Sequence, residues 1–198
     1  FPPWFVRGAD NERYLREIPE RIPGAQVAVE FRGGGWMDDD AAPETLRLLE
    51  DAGLAYVCVD EPQGFRSSTP PVVAVTAPLA YVRLHGRNAE TWEARTGAAS
   101  DRFKYLYSDA ELREWVPRVG ELAARAESVH VLFNNNYQDW GMRNAGRMTR
   151  LLGGAAPATG GPEDEDDAGP GTAPHGDAGD AGPEPSAPPP GATQGTLL

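Results

Sequence analysis

The chain has 198 residues and a formal net charge of −12, which is concentrated at one end. Residues 153–198 contain 11 Gly, 9 Pro and 8 acidic residues but no Lys or Arg, whereas the 152 residues before them carry 18 basic and 22 acidic side chains. One cysteine, Cys58, excludes an intrachain disulfide framework and a cysteine-based metal cluster, and no apolar run is long enough to cross a membrane. These features predict a folded domain over residues 1–152 in a reducing, cytoplasmic setting, and a disordered low-complexity tail over residues 153–198.

The first half of this domain is predicted to contain two helices and two strands. A helix over residues 11–18 has an apolar stripe and is expected to end at Pro19. A strand over residues 25–32 follows, in which apolar and polar side chains alternate. Pro43 suits the first turn of the next helix, and residues 55–60 form the second strand directly after it.

The second half is predicted to repeat this alternation of strands and helices. Residues 79–85 form the third strand, and residues 129–134 form the fourth. Between them, Ser108 begins a helix with an S-x-x-E capping box, and Pro117 is expected to kink or shorten that helix. Asp139 is positioned to cap the last helix.

Strands that alternate with helices predict an α/β fold with a parallel sheet and right-handed crossovers. In all four strands, aliphatic side chains cluster on one face and charged or amide side chains on the other. A doubly wound sheet is apolar on both faces, whereas a barrel holds polar residues in its lumen, at the C-terminal ends of the strands. The pattern favours a TIM-type (β/α)8 barrel, and four units in about 152 residues make half of one.

Five segments of the domain are also recognisable by their order. They are Phe1-Pro2-Pro3-Trp4-Phe5, Val29-Glu30-Phe31-Arg32 with Trp36, Tyr81-Val82-Arg83-Leu84-His85-Gly86, Tyr107-Ser108-Asp109 with Leu112 and Trp115, and Phe133-Asn134-Asn135 with Asn144-Ala145. Together they resemble the domain of unknown function 72 family, also called YecE-like, over residues 1–152. That family is a TIM-type barrel without an established reaction, so the resemblance implies strands five to eight and a pocket, but no activity. It also implies that this chain is a truncated, C-terminal half-barrel, whose sheet needs the missing half or a second copy to close.

The polar residues at the C-terminal ends of the strands are the candidate site residues. Histidine is a natural acid or base, because its ordinary pKa lies near neutrality and a neighbouring carboxylate can orient it. We predict catalytic roles for His85, Glu30 and Asp60. We predict ligand binding by Arg32, Arg83, Asn134 and Asn135, with the two guanidinium groups holding a small anionic or phosphorylated ligand.

The same residues allow other interpretations. The charged side chains can neutralise one another as structural ion pairs. A metal held by Glu30, Asp60 and His85 is a weaker alternative, because no second histidine joins them, and we expect neither a metal nor a cofactor. The glycine run over residues 33–35 lacks the spacing of a dinucleotide-binding or phosphate-binding loop, and the aromatic loop over residues 86–107 is a candidate lid.

Three functions stay open at this point, and the sequence does not decide whether the protein is an enzyme. The first is acid–base chemistry on a small anionic ligand, or binding of that ligand, at the C-terminal face of the barrel. The second is a nucleic-acid-binding barrel, which the arginine-rich basic set supports and the net negative charge of the domain opposes. The third is a fragment without function, because a half-barrel leaves strand edges open.

Overall fold

The computed structural model describes residues 1–94 and 103–154, so the predicted tail lies outside the described residues from residue 155 onward. The helices are α1 (Ala9–Arg21), α2 (Ala42–Asp51), α3 (Asp109–Ala123) and α4 (Trp140–Leu151), and a 3-10 turn covers Gly34–Trp36. The strands are β1 (Ala28–Val29), β2 (Ala55–Asp60), β3 (Leu79–Leu84) and β4 (Ser128–Phe133). None of these described helices is long and apolar enough to cross a membrane.

The four strands form one parallel sheet in the order β1-β2-β3-β4, so spatial order follows chain order. This confirms the predicted α/β fold with a parallel sheet. Parallel neighbours require long connections, and α2 and α3 lie in the connections that lead into β2 and β4. The connection from β2 to β3, residues 61–78, contains no helix or strand. All four strands therefore end at the same edge of the sheet, where their C-terminal residues meet.

One face of the sheet is packed, and the other is open along β3 and β4. Val82 and Val131 lie side by side on the packed face. The hydrophobic core on this side of the sheet includes Leu49, Leu112, Trp115 and Met148, and Leu15 of α1 belongs to the same cluster. The open face carries Tyr81 and Arg83 from β3, and Leu132 of β4 beside them is 40% exposed. The predicted alternation of β3, with aliphatic residues on one side and Arg83 on the other, is therefore correct.

The orientation of β2 differs from the prediction. The register pairs Asp60 with Leu84 and Cys58 with Val82, so Asp60 and Cys58 share the packed face. Tyr56, which has the same parity, also belongs to the core cluster. The prediction that Asp60 joins the polar face is wrong, because all six residues of β2 are buried and their pattern carries no signal for direction.

Several element boundaries also differ from the sequence prediction. Helix α1 includes Pro19 in its last turn and continues to Arg21. Because Pro19 lies near the end of the helix, its missing N–H removes only one helical hydrogen bond. Helix α3 continues through Pro117 without a break, because Val119 and Leu122 beyond it are anchored in the core. Strand β1 has two residues instead of eight, since it lies at an edge and pairs with β2 alone.

The start of α3 agrees with its predicted capping box. The Glu111 backbone N–H donates to Ser108 Oγ (3.3 Å), and the Ser108 backbone N–H donates to Glu111 Oε2 (2.8 Å). These reciprocal bonds satisfy two backbone donors that a helix start leaves open. They fix the beginning of α3 directly below the loop that carries Tyr105 and Tyr107.

Candidate functional site

Glu30 is the centre of a cluster of charged side chains at the C-terminal edge of the sheet. Its Oε2 accepts a hydrogen bond from Arg83 Nη1 at 2.8 Å, and its Oε1 lies 2.9 Å from Arg32 Nε. His85 Nε2 is 3.3 Å from the same Oε1. With Asn134, these residues form what we call the Glu30 cluster. One carboxylate thus anchors two guanidinium groups and an imidazole, which come from the ends of β1 and β3.

Asn134 determines which nitrogen of His85 carries the proton. Its Oδ1 accepts from Arg83 Nη2 at 3.0 Å, and arginine can only donate. Asn134 Nδ2 therefore points at His85 Nδ1, at 3.1 Å, and donates to it. Nδ1 is consequently the acceptor, and Nε2 carries the hydrogen that faces Glu30. The neutral imidazole has both nitrogens engaged in this arrangement.

The electrostatics of the cluster keep Glu30 ionised and His85 neutral. Burial alone would raise the pKa of Glu30, but the hydrogen bonds from His85 and Arg83 and the charge of Arg32 hold that pKa below its ordinary value. Burial lowers the pKa of His85, and the two arginine charges act in the same direction against the effect of Glu30. The cluster therefore has two fixed positive charges and one fixed negative charge at neutral pH.

Aromatic side chains cover His85, as the loop predicted to be a lid places two of them against it. The Phe103 ring centroid is 5.9 Å and the Trp92 centroid 6.4 Å from the imidazole. The side chain of His85 is 0% exposed, whereas Arg83 keeps 34% and Arg32 keeps 22% of its side-chain surface. The guanidinium groups, rather than the imidazole, are therefore the accessible part of the Glu30 cluster. Residues 95–102 of the loop lie outside the described residues.

Glu61 is a site residue that the sequence prediction missed. It follows directly after β2, and its Oε2 lies 3.5 Å from Arg32 Nη1. Its Oε1 accepts from the Thr69 backbone N–H at 2.6 Å, while Oε2 is buried and has no hydrogen-bond partner in the described part of the chain. Burial raises the pKa of Glu61 to about 7, against the opposing effects of the Thr69 amide and Arg32. If the sequence analysis had placed the other set of alternating β2 residues on the site face, it would have identified Glu61 instead of Asp60.

Asp60, which was predicted as a catalytic partner of His85, belongs to a different network. It accepts from Arg87 Nε at 2.9 Å and from Arg87 Nη2 at 2.7 Å, and the indole N–H of Trp115 also donates to it. Its side chain lies on the packed face, so it is separated from the open face by the sheet. The alternative of a metal held by Glu30, Asp60 and His85 therefore lacks the required convergence. Residues 1–94 and 103–154 contain no group of three His, Cys, Asp or Glu side chains arranged as metal ligands.

Asn135, which was predicted to bind a ligand, is likewise directed elsewhere. Its Nδ2 donates to the Tyr105 carbonyl oxygen at 2.8 Å and to Asn144 Oδ1 at 2.7 Å. Asn144 in turn bonds the backbone N–H and carbonyl of Tyr107, at 3.1 and 2.9 Å. Asn135 and Asn144 are both fully buried. Asn135 thus ties the loop before α3 to α4, whereas its neighbour Asn134 faces the Glu30 cluster.

Comparison with known proteins relates this chain to a protein family. A family model described as "Protein of unknown function DUF72" matches residues 1–167. The UPF0759 protein YunF of Bacillus subtilis (strain 168) is 33% identical over 156 residues, which cover 77% of this chain and 55% of that protein.

Solved structures agree with this match. A DUF72 family protein from Enterococcus faecalis V583 superposes with a TM-score of 0.72 at 30% identity, covering 77% of this chain and 56% of that one. A DUF72 family protein from Thermotoga maritima MSB8 superposes with a TM-score of 0.69 at 35% identity, covering 77% and 55%. The chain therefore spans about half the length of the relatives it matches.

Proposed function

This chain belongs to the family of proteins of unknown function DUF72, and from that premise we propose that its Glu30 cluster is one wall of a site for a small anionic ligand. The observation that carries the proposal is the arrangement of Arg32 and Arg83 on one partly buried carboxylate. Glu30 holds both guanidinium groups in place, and both keep part of their surface open. Such preorganised arginines bind carboxylate or phosphate groups without first losing side-chain freedom.

The remaining charge of the cluster favours an anion. Glu30 neutralises one of the two arginine charges, and His85 is neutral, so one positive charge remains unless Glu61 is ionised. Asn134 adds an amide whose orientation Arg83 fixes. Structural ion pairing, the plainer interpretation, explains Glu30 between two arginines, and it accounts for the second guanidinium charge only when Glu61 is ionised.

Acid–base chemistry through His85 and Glu30 is the more demanding version of the proposal. Both His85 nitrogens are occupied by Asn134 and Glu30, and the ring lies beneath Trp92 and Phe103. A substrate would have to displace one of these partners to reach the imidazole. Ligand binding by Arg32 and Arg83 needs no such rearrangement, so binding is the part that the geometry supports best.

We infer further that the site is completed by a (β/α)8 barrel of which this chain forms half. Four parallel strands in chain order, with a core packed on one face and the polar groups of Glu30, Arg83 and Asn134 on the other, support this architecture. In such a barrel the open face would line the lumen, and the Glu30 cluster would lie at the C-terminal rim. The opposite wall would come from the rest of a longer protein or from a second copy of this chain.

The proposal is tested by calorimetric titration of inorganic phosphate into the purified chain. We expect Arg83→Gln to weaken phosphate binding about tenfold or more, because a charge-assisted hydrogen bond contributes about 1.5–3 kcal/mol. Arg125→Gln, a matched change at an exposed arginine, is expected to leave the affinity unchanged. Equal phosphate affinity in both variants would contradict the proposal. Retention on a short DNA duplex that falls steeply with salt would favour the nucleic-acid alternative instead.

A further inference from the structure

Two residues beside Arg32 each carry a buried polar atom that has no hydrogen-bond partner among residues 1–94 and 103–154. The atoms are Oε2 of Glu61 and the indole Nε1 of Trp92. The side chain of Glu61 is fully buried, and Trp92 is 2% exposed. An unpaired buried polar group costs about 1–3 kcal/mol, so native proteins rarely keep two of them beside one charged residue. Both atoms are therefore candidates for hydrogen bonds to a group that the described residues do not supply.

Arg32 itself is only partly engaged by protein groups. Its Nε makes one short contact, with Glu30 at 2.9 Å. To the residues that the structure describes, the two terminal nitrogens make only longer contacts, of 3.5 Å each, with Glu61 Oε2 and with His85 Nε2. The guanidinium carbon lies 6.0 Å from the centroid of the Trp92 ring. Arg32 therefore adjoins both residues that carry the unpaired atoms, and its own terminal N–H groups are the least committed donors of the Glu30 cluster.

On the basis of the proposed function, we propose that Arg32, Glu61 and Trp92 form a proton-linked subsite for one oxyanion group, such as a carboxylate, sulfate or phosphate. Protonated Glu61 leaves the terminal N–H groups of Arg32 to the anion. The indole N–H of Trp92 donates a further hydrogen bond to it. Ionised Glu61 pairs with Arg32 and repels the anion. Glu61 is thus a positioning residue for Arg32, and it makes anion binding depend on a proton.

The surroundings of Glu61 set the pH at which this change takes place. It faces Arg32 and the Thr69 amide, with the carboxylates of Glu30 and Asp60 nearby, and burial raises its pKa to about 7. The other charged or titratable groups at the cluster are Arg83, His85, Arg87 on Asp60, and the amino group of Phe1, which donates to the Glu30 carbonyl at 2.6 Å. Lowering the pH through 7 therefore strengthens anion binding. By reciprocity, anion binding takes up a proton.

Titration of sodium sulfate into the purified chain tests the inference, because sulfate keeps its charge between pH 6 and pH 8. If only the Glu61-protonated form binds, the affinity is expected to be about tenfold weaker at pH 8 than at pH 6. Repeating the titration at pH 7.5 in buffers of different ionisation enthalpy is expected to show uptake of most of one proton. This second measurement needs no variant, so it decides the inference even if a substitution disturbs the fold.

Two variants assign the effect to residues. Glu61→Gln mimics the protonated carboxyl, so we expect it to bind sulfate at pH 8 as tightly as the unaltered chain does at pH 6. Glu50→Gln makes the same charge change at an exposed position on α2 and is expected to retain the pH dependence. Trp92→Phe keeps an aromatic ring but removes the donor, and is expected to weaken sulfate binding about five- to tenfold at both pH values.

The possible outcomes separate this inference from the proposed function. Sulfate binding that is independent of pH and takes up no proton would overturn the inference and leave the anion site intact. A pH dependence that persists in Glu61→Gln would assign the proton to another group, such as the Phe1 amino group, and would also overturn it. Unchanged affinity in Trp92→Phe would remove the indole from the subsite. No binding of sulfate or phosphate at either pH would overturn the proposed function as well.

Discussion

Arg83 donates to Oδ1 of Asn134 at 3.0 Å, and this one bond orients the amide that faces His85. Because arginine has no acceptor, the Asn134 NH2 group must point at His85 Nδ1. The imidazole is therefore neutral, with its hydrogen on Nε2 directed at Glu30. Arg83 thus acts on His85 through Asn134 as well as through the shared carboxylate of Glu30.

Replacing Asn134 by Asp is expected to reverse the protonation of His85. A carboxylate at this position accepts a hydrogen bond from a protonated Nδ1, so the pKa of His85 should rise by about one unit or more. Titration of the His85 ring by NMR between pH 5 and pH 8 measures this change. Asn136→Asp introduces the same charge at an exposed neighbouring position and should leave the His85 titration as it is. Similar curves for both variants would contradict the assigned tautomer.

The buried carboxyl of Glu61 is expected to make the stability of the unliganded chain depend on pH. Its pKa rises from an ordinary value of 4.5 to about 7 on folding, so the folded state binds more protons than the unfolded state between these values. Stability from this group is therefore present below pH 4.5 and is lost as the pH rises through 7. The Glu61→Gln variant has no carboxyl at this position, so it does not lose stability in this way. The free energy of unfolding of the variant, minus that of the unaltered chain, should therefore increase by about 3 kcal/mol at most between pH 5 and pH 8.

Urea denaturation at several pH values measures the difference between the two proteins. Glu50→Gln, on the exposed side of α2, provides the matched charge change and should shift stability equally at all pH values. If Glu61→Gln loses the same stability at pH 5 and at pH 8, Glu61 does not titrate in this range.

The alternation of β3 was predictable because only one of its faces is buried. Val82 and Leu84 have no exposed surface, whereas Tyr81 and Arg83 on the other face are only half-buried. Strand β2 offers no such contrast, since both of its faces are buried. The alternation of side chains along β2 is then compatible with either set of residues facing the site. The charged Asp60 favoured the wrong set, which placed Asp60 in the site instead of Glu61.

Asn135 shows a second limit of prediction from sequence. Two successive asparagines at the end of β4 have equal chemistry, and both were predicted to bind a ligand. Their side chains separate because successive residues point to opposite sides of the chain. Asn134 meets Arg83 and His85, while Asn135 meets Asn144, nine residues later on α4. That partner depends on how α4 packs, which local sequence does not encode.

Asp60 is expected to act on stability rather than on ligand binding. Asp60→Asn weakens its pairing with Arg87 and the indole of Trp115 on the packed face, where Asp60 is 4% exposed. Removing one partner of a buried ion pair lowers the free energy of unfolding by about 3–5 kcal/mol. We expect a smaller loss of about 2–3 kcal/mol here, because Arg87 keeps its contact with Glu114. Chemical denaturation measures this loss. Phosphate affinity should remain unchanged, and a loss of affinity with normal stability would return Asp60 to the site.

Asn135→Ala is expected to loosen the connection between α4 and the loop before α3. The substitution removes the hydrogen bonds to Tyr105 and Asn144 and leaves the partly buried Tyr105 carbonyl without this donor. We expect a loss of about 2–3 kcal/mol in the free energy of unfolding. Asn136→Ala, at an exposed position, should cost less than about 0.5 kcal/mol. A ligand-binding role for Asn135 would instead appear as weaker phosphate binding at unchanged stability.

Gly86 and Gly120 are expected to respond to alanine in opposite directions. Gly86 follows His85 with φ +93°, and an added Cβ would lie 2.6 Å from the Cβ of Tyr105. Both the backbone conformation and this clash oppose a side chain, so Gly86→Ala should destabilise the chain by more than about 2 kcal/mol. Gly120 lies inside α3 with nothing within 4 Å of an added Cβ, so Gly120→Ala should stabilise by up to about 1 kcal/mol. Thermal denaturation of the two variants measures both effects. A Gly86→Ala protein of unchanged stability would contradict the expected clash with Tyr105.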